Sequence, residues 1–254
     1  MSFSQLEVLA QCALRYRYMY EWRLPATADD LWPRRTPGSD SAMSAADLGT
    51  LVHEVLERFH QPGADDGAGG MARLRALWEE IATVSEGAER ATAVWRQTAE
   101  GMFERYLPSE VAGMATIATE KEVNLAVDVD ARPVLVRGFI DRLCRDADGR
   151  VWIVDYKTNR SLGRDSLAAY GRQLAIYQRA SREVLGLDAG ALLVEMRTGA
   201  VHRQEGDGWP DVETLLATLV GGDRSAPPDP PCGGCAYWRG CPSSTRRPGN
   251  DPRP

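Results

Sequence analysis

Two apolar runs, residues 133–143 and 151–156, are separated by the polar turn Asp146-Ala147-Asp148-Gly149, and both runs end in charge. Their composition predicts two β-strands joined as a hairpin. Near-continuous apolar strands belong to a sheet covered on both faces. Charge on such strands needs compensation, yet Asp141 closes the first run, and Asp155 and Lys157 close the second. Two carboxylates brought side by side repel and lose hydration, so they are tolerable chiefly with a cation between them. A divalent metal is the cation of choice.

Side chains two apart on a strand share a face, so Lys157 stands beside Asp155 and the proposed metal. Lys121 and Lys157 are the only lysines; arginine supplies every other basic side chain. A lysine here points to a need for a compact point charge able to approach a water or a phosphate oxygen. The alternative is a surface salt bridge between Asp155 and Lys157.

The formal net charge of -6 and the pI near 5.2 exclude a protein that coats nucleic acid non-specifically. Any DNA contact has to come from a local basic face, for which Arg15, Arg17, Arg23, Arg34 and Arg35 are candidates. No apolar run is long enough to span a membrane and no secretory leader is evident, which predicts a cytoplasmic protein. The dipeptide Gly-Lys never occurs, so no phosphate loop of an ATP-driven motor is present in the sequence.

A helix is predicted from a serine cap at Ser2 or Ser4 through Tyr20, its last part alternating Arg and Tyr. Those tyrosines either pack on the domain or stack on bases. Residues 26–46 read as a loop. Residues 47–60 form an amphipathic helix with Leu48, Leu51, Val52, Val55, Leu56 and Phe59 on its buried side and His53 beside them. A glycine-rich break at 63–70 precedes two helices within 71–106, a strand at 115–129, and, beyond the hairpin, a helix capped by Asp165 or Ser166 that runs to about Leu185. A second hairpin (190–197 and 201–204), a helix at 212–220 and a proline-rich linker at 223–231 follow. The linker delivers Cys232-x2-Cys235-x5-Cys241, three thiols of a four-thiolate site; Cys12 can supply the fourth. Thiolates suit zinc and iron-sulfur clusters alike. Cys144 reads as a packed thiol.

Several of these stretches together resemble one family. Gly138-Phe139-Ile140-Asp141-Arg142, then Asp155-Tyr156-Lys157-Thr158, resembles the core of the PD-(D/E)xK nucleases in its RecB-type exonuclease form. Gly49-Thr50-Leu51-Val52-His53, with Leu56-Glu57, is similar to that family's G-T-x-x-H-x-x-L-E motif, and Tyr170-x2-Gln173-Leu174-x2-Tyr177 to its Y-x-x-Q-L-x-x-Y motif. The one-plus-three cysteine pattern resembles the four-iron, four-sulfur cluster of RecB-like nucleases, as in AddB and some CRISPR adaptation nucleases. The proline that usually follows the first cysteine is replaced here by Ala13.

The resemblance implies an α/β, restriction-endonuclease-like core: a mixed central sheet flanked by helices, with a helical insertion and a Cys-rich C-terminal segment. It implies one nuclease domain over 1–242, divided into 1–25 with the first cluster ligand, helical 44–110, catalytic 115–205 and cluster segment 223–242, then a disordered tail at 243–254. His53, Asp141, Asp155 and the carbonyl of Tyr156 would bind Mg2+ or Mn2+. Lys157, Gln173 and Tyr177 would complete the catalytic group, and Glu120 or Glu122 would either lie close to the metal or form a solvated strand end. Cys12, Cys232, Cys235 and Cys241 would hold the 4Fe-4S cluster, with structural Zn2+ as the alternative. The implied activity is a metal-dependent deoxyribonuclease of DNA repair, an exonuclease on single-stranded or frayed ends working with a separate helicase subunit. CRISPR spacer processing and a non-cleaving DNA-binding module are the alternatives.

Overall fold

The computed structural model describes residues 1–25, 45–63, 70–84, 93–160, 162–204 and 212–246. Arg34, Arg35 and most of the expected 26–46 loop, the breaks near 64–69 and 85–92, and the tail from 247 lie outside the described residues. The chain divides into two compact units, one holding 39–125 and 138–209, the other 1–38, 126–137 and 210–254.

The larger unit contains helices α3 (Ala45–Phe59), α4 (Gly70–Val84) and α5 (Ala93–Tyr106), α6 (Arg164–Leu185), and most of the sheet. The strands β1 (Ala115–Val129), β2 (Arg132–Arg145), β3 (Val151–Lys157), β4 (Ala189–Glu195) and β5 (Val201–Gln204) lie in the order β1-β2-β3-β4-β5. β2 pairs with β3 antiparallel, β3 with β4 parallel through the α6 crossover, and β4 with β5 antiparallel, a mixed sheet flanked by helices. Every residue of β3 before Lys157 is buried, the mark of a strand covered on both faces. Alternate residues serve different layers: Trp152, Val154 and Tyr156 join Leu48, Val52, Leu56, Trp78 and Phe103 in one core, while Asp155 and Lys157 point the other way. The β2–β3 turn is held by Asp146, whose Oδ1 accepts from the amides of Asp148 and Arg150 and whose Oδ2 accepts from Trp152 Nε1. Gly149 there takes φ +85°, a left-handed conformation that a side chain would strain.

A polar network is buried behind β2 and β3. Arg142 is 1% exposed and donates to Thr116 Oγ1, Tyr106 Oη and the carbonyls of Val111 and Met114. Tyr106 Oη also meets His60 Nε2 at 2.7 Å and Tyr156 Oη at 3.0 Å. The guanidinium thus has its donors satisfied without a carboxylate, which is how a buried charge is made tolerable.

In the smaller unit, α1 (Phe3–Gln11) starts at Ser2 with a capping box to Gln5. The expected continuous helix to Tyr20 is corrected: the backbone turns extended at Cys12 (φ -165°, ψ 110°), then resumes as α2 (Ala13–Tyr16) and a π-helical turn, Arg17–Glu21. Cys12 Sγ caps the new start by accepting from Arg15 N at 3.4 Å. Leu9, Ala13 and Tyr16 pack with Leu215 and Leu219 of α7 (Val212–Val220). Tyr16 and Tyr18 are buried, so for these two packing wins over base stacking. Arg224 ties the carbonyls of Thr218 and Leu219 to Glu21, and Tyr237 Oη donates to Leu24 O. For α6, Gly163 takes the N-cap position, two to three residues before the expected cap, and Gly186 in a left-handed conformation ends the helix.

Candidate active site

The antiparallel register Arg142↔Val154 puts Asp141 opposite Asp155 on the face turned away from the Arg142 network. Asp141 Oδ2 accepts from Tyr156 N at 2.8 Å, which orients its carboxylate along the strand end. From the other side α3 brings His53, whose Nδ1 lies 3.4 Å from the same oxygen. The helix can come this close because Gly49, one turn earlier, has no side chain: a Cβ there would sit 3.0 Å from Thr158 Oγ1. His53, Glu120 and Asp141 offer one ligand atom each, all within 4.8 Å of one another.

Glu120 reaches the group through an irregularity in β1. Before it, even-numbered residues such as Thr116 face inward; after Glu122, Val123, Leu125, Val127 and Val129 are the buried ones. The phase slips at Glu120 itself, which takes φ +43°. Strained backbone of this kind is concentrated at functional sites. Glu122 is exposed and accepts from Asn124 Nδ2 at 3.0 Å, so of the two glutamates only Glu120 joins His53 and Asp141. Burial, then the Asp141 carboxylate, push Glu120 up to about 7, with His53 opposing and Glu57 and Asp155 adding.

Asp155 is 3% exposed, and burial raises its pKa while Lys157 pulls it back. Lys157 Nζ stands 2.7 Å from Asp155 Oδ2, an ion pair without hydrogen-bond alignment, since that buried oxygen has no properly directed donor. For Lys157, burial alone would lower the pKa, but Asp155 and Asp141 outweigh it and the amine is raised and stays an ammonium. Lys157 Nζ donates to Gln173 Oε1 at 3.4 Å, and Gln173 Nε2 donates to Tyr177 Oη at 2.9 Å. The lysine also lies 4.3 Å from the centre of the Tyr170 ring. Burial and the Asp155 charge raise the Tyr177 phenol, so it stays protonated. Of these groups Lys157 and Tyr170 border an open cleft of about 1000 Å³, lined also by His53, Glu57, Glu120, Asp141 and Arg197.

His53 and Asp141 therefore meet, Asp155, Lys157, Gln173 and Tyr177 form a chain beside them, and the Tyr156 backbone joins the two groups. Sequence reasoning left Glu120 level with Glu122 and assigned nothing to Arg142, Tyr106 or His60. The first choice depends on the slip in β1, which no residue pattern announces. One imidazole nitrogen and two carboxylates, from His53, Glu120 and Asp141, form a donor set that could hold a metal ion.

In the smaller unit, Cys12, Cys232, Cys235 and Cys241 line a single cavity with Tyr18 and Trp238. All four are free thiols, and backbone hydrogen bonding from Thr245 lowers the Cys232 pKa. Cys144 is elsewhere: it is fully buried, 3.6 Å from Met114 Sδ, and burial lifts it to about 11. Among the described residues no helix is long and apolar enough to cross a membrane.

A family model described as the PD-(D/E)XK nuclease superfamily matches residues 1–242. An ATP-dependent helicase/nuclease subunit of Lysinibacillus sphaericus (strain C3-41) is 26% identical over 199 residues, covering 72% of this chain and 16% of that protein. The subunit of the same name from Pelotomaculum thermopropionicum is 30% identical over 158 residues, covering 57% of this chain and 12% of its own. The chain thus spans less than a fifth of the length of these relatives. The solved structure of SSO0001 superposes with a TM-score of 0.54 at 16% identity, covering 97% of this chain and 87% of that one, a likeness of fold.

Proposed function

This chain belongs to the PD-(D/E)XK nuclease superfamily, and we propose on that footing that it is a metal-dependent deoxyribonuclease of DNA repair. The observation that carries the reading is the convergence of His53, Glu120 and Asp141 beside the buried Asp155–Lys157 ion pair in one open cleft. His53, Glu120, Asp141 and Asp155, with the carbonyl of Tyr156, would hold Mg2+ or Mn2+. When bound, the cation supplies positive charge that acidifies a water and offsets charge growing on the phosphate.

The chain's own residues position the rest. Lys157 is an ammonium, which makes it an orienting cation for the attacking water or a phosphate oxygen and not a general base. Gln173 holds the amine and Tyr177 holds Gln173, so the charge is fixed before substrate arrives. Asp141 is held by the Tyr156 amide and lies 3.4 Å from His53 Nδ1, and the Tyr156 ring is anchored in the Arg142 network. The substrate we propose is single-stranded or frayed DNA ends, digested as an exonuclease. The names of the relatives support a partner of the helicase type, which would supply such ends.

The thiol-lined cavity would hold a 4Fe-4S cluster. The support for it is that Cys12, Cys232, Cys235 and Cys241, three of them close in sequence and one distant, line the same cavity; structural Zn2+ is the alternative for four thiolates. Its part would be structural, tying α1 to the segment at 232–241.

The test is incubation of the purified protein with end-labelled single and double strands, with and without Mn2+. Wild type is expected to cut only with the metal, and Asp155→Ala and Lys157→Ala to lose more than about 100-fold. Undiminished cutting by either variant removes the site assignment. Binding without cutting in the wild type makes the protein a DNA-gripping module.

A further inference from the structure

Side chains of both signs line the candidate cleft: the acids Glu54, Glu57, Glu120 and Asp141, and the bases Lys157, Arg160 and Arg197. The nuclease reading uses the acids and the lysine and leaves the arginines without a task.

Arg197 is built into the wall. It follows β4, where Met196 N donates to Lys157 O at 2.9 Å and Arg197 Nε donates to Thr158 O at 3.1 Å. The turn beyond it contains Gly199 at φ +78°, where a Cβ would meet Arg105 at 3.2 Å, so the turn is seated against α5. With Nε occupied, the two Nη groups make no hydrogen bond to a described residue. Arg160 is exposed on the segment that leaves β3, near enough for its charge, after burial, to lower the Arg197 pKa. Among the described residues no carboxylate pairs with either guanidinium. The protein therefore holds two like charges together, one of them in a fixed orientation, with unspent donors facing a cleft. Two guanidiniums bordering one cleft can offer paired forks that match phosphate oxygens.

We propose that Arg197 and Arg160 bind a phosphodiester of the substrate strand adjoining the phosphate at the His53, Glu120 and Asp141 site. The proposal rests on the nuclease reading for its substrate, and its own content is that this wall grips the backbone without taking part in bond cleavage. Backbone contacts of this kind fix register and carry no base preference.

The test measures anisotropy of a fluorescent single-stranded oligonucleotide in Ca2+, for wild type, Arg197→Ala, Arg197→Gln and the Arg160→Ala/Arg197→Ala double variant, each checked by circular dichroism. Either single Arg197 variant should weaken binding about tenfold, and the double variant more. The slope of log Kd against log salt should become shallower by about 0.7 for each lost contact. In Mn2+, KM should rise about tenfold while kcat falls less than about threefold. A methylphosphonate at the adjoining position should weaken wild type and leave the double variant unaffected. Unchanged affinity and salt slope, or a loss confined to kcat, overturns the proposal. If wild type binds DNA without cutting it, the nuclease reading fails while the binding arms still score the clamp. If cutting persists and the arginine variants bind normally, the clamp alone fails.

Discussion

His60 should make this protein acid-labile by an amount that can be worked out. The imidazole is 3% exposed and accepts or shares a proton with Tyr106 Oη at 2.7 Å. Burial first, then the charges of Arg142 and Arg73, depress its pKa from 6.5 to about 2; the other groups around it, Tyr106 and Tyr156, are neutral phenols. Because the folded pKa lies below the unfolded one, the unfolded chain binds the extra proton first. Stability is then fully present above about pH 6.5 and is lost as pH falls toward 2. Between pH 7.5 and pH 5 the loss is 1.36 kcal/mol for each of about 1.5 pH units below 6.5, or about 2 kcal/mol. Carboxylates add their own dependence, so the measurement is a difference. Urea denaturation of wild type and His60→Gln at several pH values should show the wild-type minus variant stability falling by about 2 kcal/mol on acidification, whatever its value at neutral pH. Parallel curves would refute the reasoning and mean that His60 gains a partner or solvent when protonated.

Three further outcomes are expected. Glu120→Gln should weaken Mn2+ binding in calorimetry by about tenfold or more at pH 8, with a smaller difference at pH 5.5, where the wild-type carboxyl, raised to about 7, already carries a proton. Gly190→Ala should destabilise by about 1–3 kcal/mol or more in chemical denaturation, because its Cβ would fall 2.5 Å from the Trp152 ring carbon Cζ3, in a strand buried at every residue before Glu195. Cys235→Ser should remove visible absorbance from anaerobically purified protein and lower its Tm; an unchanged spectrum with one zinc per chain by metal analysis would favour zinc.

The strand and helix pattern was largely legible because each element obeys its own period. The α3 stripe from Leu48 to Phe59 is buried as its spacing requires, and β1 and α7 begin and end at the expected residues. Illegible features are local breaks in a regular period and contacts between distant segments. Cys12 interrupts a helix that its neighbours' propensities favour, because its sulfur caps a new helix start. Glu120 and Glu122 cannot be ranked by a two-residue period when the backbone slips between them. Arg142 reads as one more arginine beside an aspartate, yet its partners are a phenol, a hydroxyl and two carbonyls brought in from the 106–116 segment. A buried cation satisfied by neutral groups leaves no opposite charge in the sequence to find.

The four thiols that share a cavity are made at very different times. Cys12 leaves the ribosome before the other three, and Cys232, Cys235 and Cys241 follow about 220 residues later, roughly ten to forty seconds at ordinary synthesis speed. Throughout that interval the first thiol has no companions. A cluster held by all four thiols, as proposed above, could be completed only after the sheet has been synthesised, and products truncated before residue 232 would lack it.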